Sequence, residues 1–241
     1  GFNLILSYLY DPDQIFQTNV ALCSKAQFIA GPHRPNETDE THACDVFLKP
    51  LERLAIFNAD SAPRLKLGAA PSALAEAAAS TGKPAASMTR DSAQPWLAVH
   101  PGSGSEKKNW PEENWADLLR RLRDATSLNV LLIGGEAEGE RLPRLGANFS
   151  SARLRLAQSL PLVELALRLA ECQAFVGHDS GITHLAAAVG LPVLVLWGDS
   201  NLALWRPRSD RMKIVHDPDG LKALSVERVW HGLQELQYQK F

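Results

Sequence analysis

The run from Phe175 to Trp197, FVGHDSGITHLAAAVGLPVLVLW, constrains the fold more than any other stretch of this chain. Apolar residues through Gly177 read as a strand, and His178-Asp179-Ser180-Gly181 as a tight turn. A helix of small residues follows, stops at Gly190, and gives way to a second apolar strand, Val193 to Trp197. Asp179 or Ser180 suits the N-cap, and Gly190 suits the left-handed residue that ends a helix. Gly181 lets the backbone approach a ligand closely. The first turn of a helix leaves backbone N–H groups unpaired and carries partial positive charge, so Ser180 to Thr183 form a seat for an anion, most often phosphate. The alternative is a βαβ unit whose cap serves only its own helix.

The same rhythm extends over the second half of the chain. Strands are predicted at Trp96 to His100, Asn129 to Gly134, Arg153 to Ala157, Ala174 to Gly177, Val193 to Trp197 and Lys213 to Val215. Helices are predicted between or after them at Glu112 to Asp124, Glu136 to Gly146, Pro161 to Glu171 with Ser159 as N-cap, Ile182 to Val189 and Val226 to Leu236. Strands alternating with helices give a parallel sheet wound on both faces, whose ligands bind beyond the carboxyl ends of the strands near the point where strand order reverses. Asp179 and His100 both sit at such ends.

The first half is less regular. Asn3 to Tyr10 reads as a strand, Gln14 to Cys23 as a helix, Ala26 to Ala30 as a strand, Ala43 to Ile56 as a helix and Pro63 to Leu67 as a short extended piece. Ala69 to Pro95, with an Ala-rich helix at Ser72 to Ser80, reads as an inter-domain connection. The expected organisation is a partial N-terminal α/β domain with its linker over residues 1–91 and a Rossmann-like domain over residues 92–241. The chain opens at Gly1 inside a strand, without an initiator Met or a signal-peptide n-region, as a piece of a longer protein would.

Composition narrows the function classes. A net charge of -2 and a pI near 6.4 lack the basic excess of a dedicated nucleic-acid binder. No apolar run is long enough to span a bilayer. The three cysteines, Cys23, Cys44 and Cys172, lack CxxC spacing, so a reducing cytoplasm is expected rather than a disulfide framework. The seven histidines show no zinc spacing, and no metal is expected.

The chemistry gathers at the strand ends. The first strand of the regular half leads into HPGSGSEKKNWP, where Gly102, Ser103, Gly104 and Ser105 supply backbone N–H groups and hydroxyls and Lys107 and Lys108 supply cations. Such a loop can cradle a phosphate. It is neither a Walker A loop nor a GxGxxG fingerprint, and its alternative reading is a flexible loop with solvated lysines. Two anion-friendly loops leaving the same sheet edge can bridge a diphosphate. After the next strand, Glu136 or Glu138 can accept hydrogen bonds from ribose hydroxyls, or instead complement the dipole of its own helix. A hydrolase built on His178, Asp179, Ser180 and His184 is disfavoured. These are sequence neighbours around one helix start, whereas a triad converges from separate loops, and no GxSxG elbow is present.

Taken in order, HPGSGSEKKNWPEENW at His100 to Trp115 and FVGHDSGITHLAAAVGLPVLVLWG at Phe175 to Gly198 resemble the donor half of family 9 glycosyltransferases, the ADP-heptose:lipopolysaccharide heptosyltransferases. The resemblance covers about residues 94–241. It implies a GT-B fold and inverting, metal-independent transfer without a cofactor. Lys108 then faces the donor phosphates as the catalytic cation. Asp179, Ser180, Gly181, Ile182, Thr183 and His184 hold the donor, Ser103 and Ser105 contact phosphate, and Glu136 or Glu138 contacts ribose. Gly198-Asp199-Ser200 departs from the family's Gly-Pro-Thr. The family's N-terminal Gly-Asp loop, whose aspartate is the general base, has no counterpart here, which leaves Asp11 and Asp13 as local candidates with turn capping as their other reading. The implied partners are a nucleotide-diphospho-sugar, with an ADP-sugar favoured, and a saccharide or glycolipid acceptor. The implied location is the cytoplasm at the inner face of the cytoplasmic membrane, where the basic run Arg206 to Lys213 offers peripheral contact. A nucleotide-sugar-binding module without catalysis is the competing class, and a GT-B nucleotide-sugar 2-epimerase a further one.

Overall fold

A computed structural model describes residues 1–68, 94–105, 108–147 and 149–238. The expected helix at Ser72 to Ser80 and most of the expected connection around it lie outside the described residues. The chain divides into two units, Gly1–Ala62 with Asn201–Arg208, and Pro63–Ser200 with Ser209–Phe241.

In the first unit β1 (Leu4–Ser7) pairs in parallel with β2 (Gln27–Ala30), and α1 (Ile15–Cys23) links them. β1 is shorter than the apolar run that encodes it, because only Leu4 to Ser7 find partners on β2. The expected helix at Ala43 to Ile56 is two pieces, α2 (Ala43–Leu48) and a 3₁₀ helix (Lys49–Leu54). Pro50 separates them: it has no N–H for the carbonyl four residues back, and its ring crowds that carbonyl. A further helix that hydropathy did not reveal, α7 (Leu202–Trp205), is capped by the Asn201 side chain, which accepts from the Leu204 N–H at 3.3 Å.

The second unit holds a six-stranded parallel sheet in the order β5-β4-β3-β6-β7-β8. The strands are β3 (Trp96–His100), β4 (Asn129–Gly134), β5 (Leu154–Gln158), β6 (Ala174–His178), β7 (Val193–Trp197) and β8 (Met212–His216). Every residue of β3, β4, β6 and β7 is buried, which is why these strands read as unbroken apolar runs instead of alternating ones. The helices of this unit are α3 (Glu112–Ala125), α4 (Arg141–Gly146), α5 (Leu162–Ala170), α6 (Gly181–Val189) and α8 (Val226–Tyr238). α3 turns Trp115, Leu118, Leu119 and Leu122 inward at helical spacing, and α8 adds Val229, Trp230 and Leu233 to the same core.

Three local expectations give way to backbone chemistry. The helix expected over Glu136 to Gly146 splits into a 3₁₀ turn (Glu136–Glu138) and α4, because Gly139 takes a left-handed φ of 35°. Ser159 is not the cap of α5. It holds a φ of 51°, its N–H donates to the Gly134 carbonyl at 2.8 Å, and Pro161 occupies the N-cap. Pro63 to Leu67 joins no sheet, and the Leu65 N–H donates to the Ala188 carbonyl at 2.8 Å.

The chain walks from β3 through β4 to β5, then returns beside β3 with β6 and proceeds outward to β8. Strand order therefore reverses between β3 and β6, and His100 pairs with Gly177 at the carboxyl ends of those two strands.

Candidate functional site

A cleft of about 410 Å³ opens at that reversal, bounded by the loops after β3, β4, β5 and β6. Ser103, Gly104, Glu136, Glu138, Ser180, Gly181 and Ile182 line it, facing an apolar wall that includes Ile133, Ala157, Leu160 and Leu165. The structure thus brings six of the residues that the resemblance assigns to donor binding to one cavity: Ser103, Glu136, Glu138, Ser180, Gly181 and Ile182. Ser105, Lys108, Asp179, Thr183 and His184 are not among its lining residues. No group of three His, Cys, Asp or Glu residues suited to a metal ion occurs among the described residues.

The start of α6 is organised by Ser180, whose extended backbone and side chain make it the N-cap; its Oγ accepts from the Thr183 N–H at 3.4 Å. That bond is long, and Oγ also lies 3.4 Å from His100 Nδ1. The Thr183 side chain faces the interior: it is fully buried and its Oγ1 donates to the His178 carbonyl. Thr183 is therefore not a donor contact as the motif implied: the whole residue is buried, and its N–H donates to Ser180, to the carbonyl at 3.1 Å and to Oγ at 3.4 Å. A Cβ added at Gly181 would meet nothing within 4 Å, so the helix start borders open space. His184, one turn into α6, is half-buried.

Lys108 Nζ stands 3.2 Å from Asp179 Oδ2, joining the β3–α3 connection to the corner after β6. The lysine side chain is 48% exposed and the aspartate 13%, so the pair contributes at most about 1 kcal/mol to folding. Lys108 can therefore turn to another anion at small cost. Lys107 lies outside the described residues. The Ser103 hydroxyl has the Asn109 side-chain oxygen at 2.7 Å and the Ser105 carbonyl at 2.9 Å; its single proton serves one at a time. Ser103 thereby shapes the loop as well as lining the cleft, whereas Ser105 is exposed and contributes its carbonyl.

The two glutamates differ. Glu138 is 6% exposed, and its Oε2 accepts from the Gly135 N–H at 2.7 Å, capping its own turn. Its other oxygen packs so closely on Gly102 that a Cβ there would overlap it. Glu136 is exposed at the cleft and is the better placed of the two to meet a ribose. In the N-terminal unit Asp11 accepts from the Phe16 and Gln17 N–H groups, both at 3.0 Å, and these bonds hold its carboxyl below the usual range. Asp11 is thus a turn cap.

Two histidines that end strands do more than sequence reasoning assigned to them. His178 is fully buried; its Nε2 lies 2.8 Å from the Trp110 N–H and its Nδ1 3.2 Å from the Gly102 carbonyl. A backbone N–H only donates, so Nε2 accepts and Nδ1 carries the proton. Burial pushes the pKa of His178, and likewise of His100, down to about 4, so both are neutral at physiological pH. The available signal was position alone: His100 ends its strand as expected, and His178, expected in the turn, is the last residue of β6.

The sequence pattern of glycosyltransferase family 9 (heptosyltransferase) matches residues 55–228. The lipopolysaccharide heptosyltransferase 1 of Pseudomonas aeruginosa is 36% identical over 111 residues, which are 46% of this chain and 31% of that protein. The lipopolysaccharide heptosyltransferase 2 of Escherichia coli is 30% identical over 129 residues, 52% of this chain and 37% of that one. The matched region spans about a third of the length of these relatives. Among solved structures, a family 9 glycosyl transferase from Veillonella parvula superposes with a TM-score of 0.70 at 18% identity, over 90% of this chain and 64% of its own. The E. coli heptosyltransferase WaaC with ADP gives 0.69 at 17% identity, over 98% of this chain and 73% of its own. These likenesses show the fold, α/β of the GT-B-like class that the motifs implied. With the family pattern over most of its length, the chain belongs to glycosyltransferase family 9, the heptosyltransferases.

Proposed function

We propose that this chain binds the nucleoside-diphosphate part of a nucleotide-sugar and forms the donor side of an inverting heptosyltransferase acting on a lipopolysaccharide core or a similar glycolipid. The observation that carries the proposal is the convergence of two anion-suited loops at the reversal of strand order, with Lys108 3.2 Å from Asp179 beside the open start of α6. The solved relatives with ADP and with ADP-2-deoxy-2-fluoro heptose support an ADP-heptose as the donor.

In this reading an acceptor hydroxyl attacks the anomeric carbon as ADP leaves from the opposite face. Negative charge grows on the departing diphosphate, so the Lys108 ammonium and the N–H groups of Gly181 and Ile182 stabilise the transition state more than the ground state. These groups supply the positive charge that a divalent cation supplies elsewhere, in keeping with metal-independent transfer. Asp179 holds Lys108 at the site until the phosphates replace it, and Glu136 takes ribose hydroxyls. A glycolipid acceptor places the work at the inner face of the cytoplasmic membrane. The basic run Arg206 to Lys213 adds little there, because Arg208 pairs with Asp45, Arg211 donates to the Gly190 carbonyl and Lys213 pairs with Glu235.

Binding without transfer is the second reading. It is favoured by Asp11, whose carboxylate is committed to the Phe16 and Gln17 N–H groups and does not serve as a base. Calorimetry with ADP, UDP and GDP tests the shared part: ADP is expected to bind most tightly, and no binding of any of the three defeats both readings. Release of ADP from ADP-heptose in the presence of a deacylated core acceptor then separates transfer from binding alone.

A further inference from the structure

We infer that His178 is a positioning residue of the donor site, holding Gly102 and Trp110 so that Ser103 and Lys108 between them meet the diphosphate. The inference rests on the proposal that the cleft takes a nucleoside diphosphate.

His178 cannot touch a ligand, since it has no exposed surface. Its polar atoms are nonetheless all engaged across the site. Nε2 accepts from the Trp110 N–H at 2.8 Å, Nδ1–H donates to the Gly102 carbonyl at 3.2 Å, and its own carbonyl accepts from Thr183 Oγ1 in the first turn of α6. One residue thus ties the chain before Ser103, the chain after Lys108 and the helix start to the end of β6. The ring is itself held edge-on by Trp115 of α3, with centroids 5.4 Å apart and planes at 89°. Trp110 stacks edge-on to Trp115 in turn and donates its indole N–H to the Leu224 carbonyl at 2.8 Å, so the anchor does not swing. The residue after the clamp is Asp179, the partner of Lys108. The lysine is therefore located from two directions, through its charge by Asp179 and through its backbone, two residues away, by His178.

The neutral imidazole with its proton on Nδ1 is the only protonation state that serves both partners, because Trp110 offers a donor and Gly102 an acceptor. A side chain of similar bulk without polar atoms would leave that N–H and that carbonyl unpaired in the interior. The loop would then be expected to move until they found other partners, which displaces Ser103 and Lys108 from the anion.

The test measures ADP and adenosine binding to the full chain by calorimetry and ligand-observed NMR. In His178→Leu, ADP affinity is expected to fall on the order of thirtyfold, as the loss of a buried hydrogen-bonded pair implies, while adenosine affinity is unchanged. In His178→Gln, whose amide oxygen can take the Trp110 N–H, ADP affinity is expected to lie between wild type and His178→Leu. ADP affinity within about threefold of wild type in His178→Leu overturns the inference, and so does an equal loss for adenosine or a Gln variant no better than Leu. If His178→Leu does not fold, His178→Gln decides alone: weakened ADP with unchanged adenosine supports the role, and any other pattern overturns it. A wild-type chain that binds no ADP overturns the proposed function and this inference with it, which distinguishes that failure from a failure of His178 alone.

Discussion

Lys108→Ala separates a residue kept for its ligand from one kept for its fold. The ion pair with Asp179 is direct, at 3.2 Å, but the lysine side chain is 48% exposed. An exposed pair of this kind is worth about 0.2–1 kcal/mol. In a chain of 241 residues that corresponds to a midpoint shift of roughly 2–4 °C at most for the upper value. Removal of a charge-assisted hydrogen bond to a diphosphate costs more, about 1.5–3 kcal/mol, or roughly 10- to 150-fold in Kd. The variant is therefore expected to melt close to wild type while losing ADP affinity by one to two orders of magnitude. The loss should be larger at low ionic strength, where an exposed cation is less screened. Differential scanning calorimetry gives the first quantity, and titration calorimetry with ADP at two salt concentrations the second. A variant that melts many degrees lower yet binds ADP unchanged would falsify the assignment, for it would make Lys108 a structural partner of Asp179 and nothing more.

Three further outcomes follow from the same geometry. Gly102→Ala puts a Cβ into the Glu138 carboxylate; it is expected to destabilise the chain by about 1–3 kcal/mol in urea denaturation, and the double variant with Glu138→Ala should recover part of that loss. The buried His178 and His100, each with a pKa lowered from 6.5 to about 4, take up protons in the unfolded chain first, so stability is full above pH 6.5 and declines as pH falls toward 4. At pH 4 each is expected to have cost about 3 kcal/mol, read as a falling urea midpoint between pH 7 and pH 4.5; a flat profile over that window contradicts the neutral, clamped imidazole. Phe175→Ala removes a fully buried ring of β6 and is expected to cost about 3–5 kcal/mol, with an unchanged midpoint as the refuting result.

The parts of the fold that were legible in the sequence are those decided by burial. β3, β4, β6 and β7 are sealed on both faces, so each is a run of apolar residues with little choice of structure, and the strands of that half were placed within a residue or two. The parts that were not legible are decided by single backbone torsions. Gly139 breaks what reads as one helix, Ser159 turns left-handed where its side chain suits a cap, and Pro50 divides an otherwise periodic stretch. Gly139 and Pro50 follow their own backbone preferences against the helical pattern around them, whereas Ser159 departs from its average preference under the pull of its neighbours.

The site divides along a similar line. Residue type and spacing were enough to bring Lys108, Asp179 and Ser180 forward, because ammonium groups and helix starts bind anions wherever they occur. They were not enough to separate Glu136 from Glu138, two residues apart and of one type. The difference between them is that Glu138 points its carboxylate at the Gly135 N–H and at Gly102, while Glu136 meets the cleft. His178 shows the same thing over a longer span. Its partners stand 68 and 76 residues away along the chain, on a segment whose own sequence carries no trace of the imidazole that holds it. A residue proposed to bind a diphosphate is recognisable by its chemistry, since an anion calls for cations and free N–H groups. A residue that binds the loop is recognisable only once the loop's donor and acceptor atoms have positions, because any donor–acceptor pair of that geometry would have served. Substitutions at such residues should therefore be read against the ligand moiety they affect: a loss confined to the diphosphate locates the fault in the loop, whatever the distance between the altered side chain and the phosphates.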